Sequence, residues 1–125
     1  MSAQTNNAAE AGIRRYVSLL ESGSADDLVA LFAENATVED PVGGDIRCGH
    51  EAIRDFFTTL QDLDRHTEVN LVRVAPGEAA FVFTITFTVG DVRMQLQPID
   101  TVTFNDRGEI TSLRSYFDPS NVTPV

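Results

Sequence analysis

The apolar residues of this chain recur at one period up to about residue 60 and at another after Thr67, and that change limits what the chain can fold into. In the first part Ile13, Tyr16, Val17 and Leu20 fall at i, i+3, i+4 and i+7, which predicts a helix from Ala8 to Glu21 with one buried face. Gly23 suits the position just past its end. Ser24, with Asp27 three residues on, forms a capping pair for a second helix over Ala25 to Ala33 that turns Leu28, Leu31 and Phe32 inward. A third helix is expected from His50 to Leu60, burying Ile53, Phe56, Phe57 and Leu60.

From Thr67 onward the period is two. Thr67 to Ala75 reads as a strand and Pro76-Gly77-Glu78 as its turn. In the next strand, Ala79 to Val89, Phe81, Phe83, Ile85, Phe87 and Val89 take one face; Gly90-Asp91 turns the chain back. Val92 to Asn105 carries Met94, Leu96, Pro98, Asp100, Val102 and Phe104 on one face, and only Ile99 interrupts the polar face opposite. Asn105-Asp106-Arg107-Gly108 leads into a last strand from Glu109 to Phe117, and the tail after Asp118-Pro119 has no period. Helices followed by an antiparallel meander make an α+β domain. The 125 residues suffice for a single domain with its own core, the polar residues 1–7 being expected to fray.

Composition removes several function classes. A formal charge of −10, from 19 acidic against 9 basic residues, would repel nucleic acid and anionic lipid. A neutral apolar ligand is compatible with it. No apolar run is long enough to span a membrane, and Met1 to Asn7 has neither the basic nor the apolar region of a signal peptide. The single cysteine, Cys48, permits no intramolecular disulfide and suits a reducing cytoplasm; with no histidine in a catalytic pattern near it, a structural thiol is expected. His50 and His66 are expected to be solvated, and Glu39 and Glu78 to be surface charges. No spacing of histidine, cysteine or carboxylate suggests a metal, and no glycine-rich phosphate loop is present. Neither a metal nor a cofactor is expected.

Three polar groups nevertheless fall on apolar faces. Alternation through Ala36-Thr37-Val38-Glu39-Asp40-Pro41-Val42-Gly43 puts Asp40 on the side of Ala36, Val38 and Val42. Tyr16 lies on the buried face of the first helix and Asp100 on the apolar face of its strand. Each has an ordinary explanation: a turn at Asp40-Pro41, a core phenol bonded to a carbonyl, a carboxylate held by backbone N–H groups beside Pro98. Two acids and a phenol together in one small core are costly unless used. An ionised carboxylate can remove a proton from carbon next to a carbonyl, while a phenol and a protonated carboxylic acid donate hydrogen bonds to the developing oxyanion. Asp100, among Pro98, Val102, Met94 and Leu96, has the drier surroundings and is the expected neutral donor; Asp40, at a loop edge, is the expected base.

The segment Ala36 to Gly43 resembles the catalytic-base segment of the bacterial Δ5-3-ketosteroid isomerases, small members of the NTF2-like (SnoaL-like) superfamily. The resemblance runs from Arg15-Tyr16-Val17 to Tyr116-Phe117. It implies a curved, mostly antiparallel sheet wrapped around three helices as an open cone, and an enzyme that converts 3-oxo-Δ5-steroids to 3-oxo-Δ4-steroids. By that resemblance Asp40 matches the general base, and Tyr16 and Asp100 match the two oxyanion-hole donors. Phe117 matches an aromatic that lies against the steroid; Phe81 and Phe83 match apolar wall positions. Phe57 stands where well-studied isomerases have a tyrosine bonded to the catalytic one, and Phe32 where some relatives have another. Tyr16 is thus expected to act without a phenolic partner. The resemblance also implies a homodimer and a small apolar steroid as the bound partner. Other readings stay open: a SnoaL-like polyketide cyclase or lyase, or a non-catalytic NTF2-like module that binds an apolar ligand or dimerises.

Overall fold

A computed structural model describes residues 3–125, with side chains from Asn6 onward. Helix α1 spans Ala3–Ser22 and buries Ile13, Tyr16, Val17 and Leu20. It begins earlier than its apolar stripe requires, so residues 3–7 extend the helix where fraying was expected; Met1 and Ser2 lie outside the described residues. Helix α2 (Ala25–Val29) is capped as its sequence predicts: Ser24 Oγ accepts from Asp27 N and Asp27 Oδ2 accepts from Ser24 N, both at 3.1 Å. It stops four residues short of Ala33. Strand β1 (Phe32–Glu39) claims Phe32 and Ala33 instead, with Ile110 N donating to Leu31 O at 3.0 Å as the chain enters the sheet. A helical apolar spacing over so few residues is easily overridden by sheet pairing.

Strand β2 (Ile46–Cys48) pairs antiparallel with β1 at the sheet edge. Cys48 is exposed there as a free thiol, not packed inside as a structural one. Helix α3 (His50–Gln61) buries Ile53 and Phe57 as expected. Gly49 enters it at φ +88°, a conformation open to glycine and costly for other residues. His50 departs from the solvated expectation: its Nε2 donates to Phe32 O at 2.8 Å, tying α3 to the start of β1. His66 is exposed and pairs with Glu21 at 2.8 Å.

Strands β3 (Asp64–Ala75) and β4 (Glu78–Val89) form the longest antiparallel pair, which starts three residues before the expected Thr67. A bulge between Val69 and Leu71 shifts the inward set from Arg65, Thr67 and Val69 to Val72 and Val74. The expected single strand from Val92 to Asn105 is two, β5 (Val92–Leu96) and β6 (Ile99–Phe104), broken at Gln97-Pro98. Proline has no N–H to donate to a ladder, so pairing lapses there. Leu96, Pro98, Asp100 and Val102 are still all buried, and Ile99 is half exposed on the outside. The break does not flip the face.

Strand β7 (Ile110–Tyr116) pairs antiparallel with β6 and parallel with β1. A short 3-10 turn at Pro119–Asn121 precedes the two-residue strand β8 (Thr123–Pro124), which pairs with β5. The sheet runs β2-β1-β7-β6-β4-β5-β8, with β3 on the other edge of β4. It is mixed, curved and unclosed, and the helices fill its concave side around Tyr16, Phe32, Phe57 and Phe81. This is the NTF2-like α+β fold.

Candidate active site

A cavity of about 290 Å³ opens between the helices and the concave face of the sheet, room for one small ligand. Its walls are mostly apolar: Leu20 of α1, Phe56, Phe57 and Leu60 of α3, Phe83, Ile85 and Phe87 of β4. Leu96, Pro98, Phe117 and Val122 complete the lining, Leu96 directly beside Ile85 across the β4–β5 pair. The polar groups in this lining are few: Tyr16, Asp40, Ser115 and Arg65.

Asp40 follows directly on β1, whose inward residues Ala36 and Val38 are fully buried. The segment after it is pinned to β7, since Val42 N donates to Ser115 O at 2.8 Å. Burial raises the Asp40 pKa to about 6, partly opposed by the charge of Arg47. Arg47 lies 4.2 Å from the centroid of the Phe56 ring and reaches the Asp40 carbonyl oxygen at 3.4 Å. Glu39 points the other way, as alternation requires. It is more enclosed than a plain surface charge: its carboxylate accepts from Arg114 Nε at 2.9 Å and Gly43 N at 3.0 Å.

Tyr16 is buried, and three aromatic rings meet it edge-on: Phe57 and Phe81 at centroid distances of 6.2 Å and Phe32 at 6.3 Å. None of the three carries a hydroxyl. Burial raises the Tyr16 pKa well above its ordinary value, and Asp100 and Asp40 add to the effect, so the phenol stays protonated. Its helix is held against the sheet by Thr67, whose Oγ1 donates to Val17 O at 2.7 Å and whose N–H donates to Glu21 Oε1 at 2.9 Å.

Asp100 is 1% exposed and stands beside the cavity wall, not in the lining itself. Its register partners are Phe81 on β4 and Ser115 on β7. Its Oδ1 is buried without a hydrogen-bond partner. Burial is the main cause that raises its pKa to about 8, with Asp40 adding to it and the Ser115 hydroxyl opposing. At neutral pH this carboxyl is protonated while Asp40 is mostly ionised. Phe81, expected as a wall residue, lies behind Tyr16 and does not line the cavity; Phe57, Phe83 and Phe117 do.

The SnoaL-like domain matches residues 13–113. The chain belongs to the SnoaL-like family. This SnoaL-like chain is 40% identical over 118 residues to a steroid Delta-isomerase of Nocardioides simplex, covering 93% of the chain and 96% of that protein. Its fold is similar to that of SalBIII, an epoxide hydrolase/cyclase-like enzyme in pyran ring formation in the polyether salinomycin. The TM-score is 0.88 at 24% identity over 94% of the chain and 95% of that structure, a likeness of fold alone.

Two polar lining residues, Ser115 and Arg65, lie outside the sequence-predicted set. Strand alternation puts Ser115 on the inward face with Leu113 and Phe117, the signal that could have found it, while its place beside Asp100 comes from β6–β7 register. Arg65 was missed because the strand was begun at Thr67. Extending that strand's alternation back two residues would have put Arg65 on the inward face with Thr67 and Val69.

Proposed function

We propose that the chain is a cofactor-independent steroid isomerase that moves the 5,6 double bond of a 3-oxo-Δ5-steroid to the 4,5 position. The observation that carries this reading is the division of labour between two carboxyls in one site, Asp40 raised only to about 6 and Asp100 to about 8. Asp40, ionised, takes a proton from C4. The electrons of the broken C–H bond form a dienolate with negative charge on the C3 oxygen. Tyr16 and neutral Asp100 donate hydrogen bonds to that oxygen. Asp40 then returns the same proton to C6, and the conjugated enone results. No electrons or atoms enter or leave, so the step needs no co-reactant.

The mostly apolar lining supports a small hydrophobic substrate, and the 40% identity to a steroid Delta-isomerase supports the reaction class. Among the described residues no helix is long and apolar enough to cross a membrane. The exposed free thiol of Cys48 supports a reducing, cytoplasmic location. The test is to mix the protein with 5-androstene-3,17-dione and follow the ultraviolet absorbance of the conjugated product. A rate no greater than that of buffer would remove this reading.

The same proposal includes a homodimer through the outer face of the sheet. Leu71, Val82, Ile99 and Tyr116 form a register row across β3, β4, β6 and β7, and Leu71, Ile99 and Tyr116 are 41–50% exposed. Sedimentation should give twice the chain mass for the native protein and the chain mass for Ile99→Lys. A monomeric native protein would count against it.

A further inference from the structure

Arg65 is the one cation among the residues that line the cavity, and Asp40 the one carboxylate. Arg65 and Asp100 lie toward opposite ends of β4. Asp100 pairs with Phe81 on β4 while Arg65 pairs with Phe87, six residues further along the same strand. The Arg65 guanidinium reaches back to α1, where Nη2 donates to Gly23 O at 3.3 Å. Gly23 lies seven residues after Tyr16, which is about 10 Å along a helix axis. A rigid four-ring nucleus with its 3-oxo group at Tyr16 would therefore point its other end at Arg65.

That guanidinium is incompletely used. Its Nε and Nη1 have no hydrogen-bond partner and are covered by protein atoms even with the cavity empty, so a ligand meets them only once the side chain turns toward it; the bond to Gly23 O accounts for Nη2 alone. Desolvation lowers its pKa, with Asp62 acting in the opposite sense. Buried donors left without acceptors cost free energy, more when they are charged. Capping the end of α1 explains one nitrogen of the three. The backbone is also fixed in advance: Arg65 is paired in the β3–β4 ladder, and Thr67, two residues on, is bonded twice to α1.

We propose that Arg65 binds a carboxylate carried at the ring-D end of the steroid, remote from the 3-oxo group. This rests on the steroid reading above and extends it to a substrate class, steroids with an acidic side chain or acidic C17 substituent. The same contact orients the ligand. A carboxylate at Asp40 is repelled and one at Arg65 is attracted, so the 3-oxo group is directed to Tyr16 and Asp100. It also supplies local attraction for an anion that the net charge of −10 repels.

Binding of 4-ene-3-oxo steroids that differ only at C17, bearing hydrogen, a ketone or a 17β-carboxylate, tests this by calorimetry without any need for turnover. The native protein should bind the carboxylate tighter than the 17-unsubstituted compound by on the order of tenfold or more, the scale of a charged hydrogen bond. Arg65→Gln should bring that ratio close to one, and Arg65→Lys should keep part of it. Equal affinity of the native protein for the two compounds would overturn the proposal. So would an Arg65→Gln protein that weakens all three ligands by one common factor, which is what a purely structural role at Gly23 would do. The isomerase reading fails separately: absent enone formation from 5-androstene-3,17-dione, with an Arg65-dependent carboxylate preference intact, removes the reaction and leaves the binding assignment.

Discussion

Phe81 and Asp100 are register partners across β4 and β6, and the Phe81 ring meets Tyr16 edge-on at 6.2 Å. One ladder step thus sets a carboxyl next to the aromatic wall that holds the phenol. The dryness of that place raises the Asp100 pKa to about 8, and the same dryness makes its unpartnered Oδ1 costly.

Activity should be bell-shaped in pH. Asp40 must be ionised to accept a proton, so kcat rises as pH climbs through about 6. Asp100 must be neutral to donate, so kcat falls as pH climbs through about 8. Asp100→Asn should lose the alkaline limb and keep the acid one. A pH–rate profile of both proteins checks this, and a fall in kcat as pH rises from about 6 to 7.5 that survives in Asp100→Asn would contradict the assignment.

The same group predicts a stability effect of opposite sign to the usual surface carboxylate. The Asp100 pKa is raised on folding from the ordinary 3.8 to about 8, so between those values the folded state binds more protons than the unfolded one. Stability from this group therefore falls as pH rises through that window, by at most about 1.4 kcal/mol per pH unit for one proton. Asp100→Asn has no such proton to lose. Its urea midpoint should gain on that of the native protein progressively from pH 4 to pH 8, and a constant difference would show that Asp100 is not buried neutral.

Phe57 and Phe32 lack hydroxyls, so in the proposed reaction Tyr16 and Asp100 would carry the oxyanion between them. Loss of one such donor costs on the order of 10²–10³ in kcat where it has been measured in a hydrolase. Tyr16→Phe and Asp100→Ala should each lower kcat by about tenfold or more on that scale. Effects within twofold for both would place the oxyanion elsewhere.

Asp40→Asn keeps the side-chain shape and removes the base. Turnover should fall by several orders of magnitude, since no other carboxylate lines the cavity. Affinity for an equilenin-like phenol, which mimics the dienolate, should stay the same or increase because the anionic neighbour is gone. Measuring both on one preparation separates a lost base from a lost fold: wild-type turnover, or joint loss of ligand and structure, would make Asp40 a structural residue.

Local pattern by itself determined the helical faces of α1 and α3, the Ser24 cap and the inward side of β5–β6. These depend on contacts three or four residues apart, or on the alternation of a pleated strand, and both periods are written in the chain. The face of Asp100 survived even the unforeseen break at Pro98, because losing a ladder bond does not change which way alternate residues point. Tertiary structure decided what lies beyond that range. Phe32 left the helix for β1 because pairing with Ile110 outweighed a weak local preference in a helix only five residues long. The Asn70 bulge, the place of Ser115 beside Asp100 and the reach of Arg65 to Gly23 depend on register between strands or on packing of α1 against β3. Those relationships join residues 11 to 42 positions apart, at distances fixed only when the whole sheet has curved around its helices.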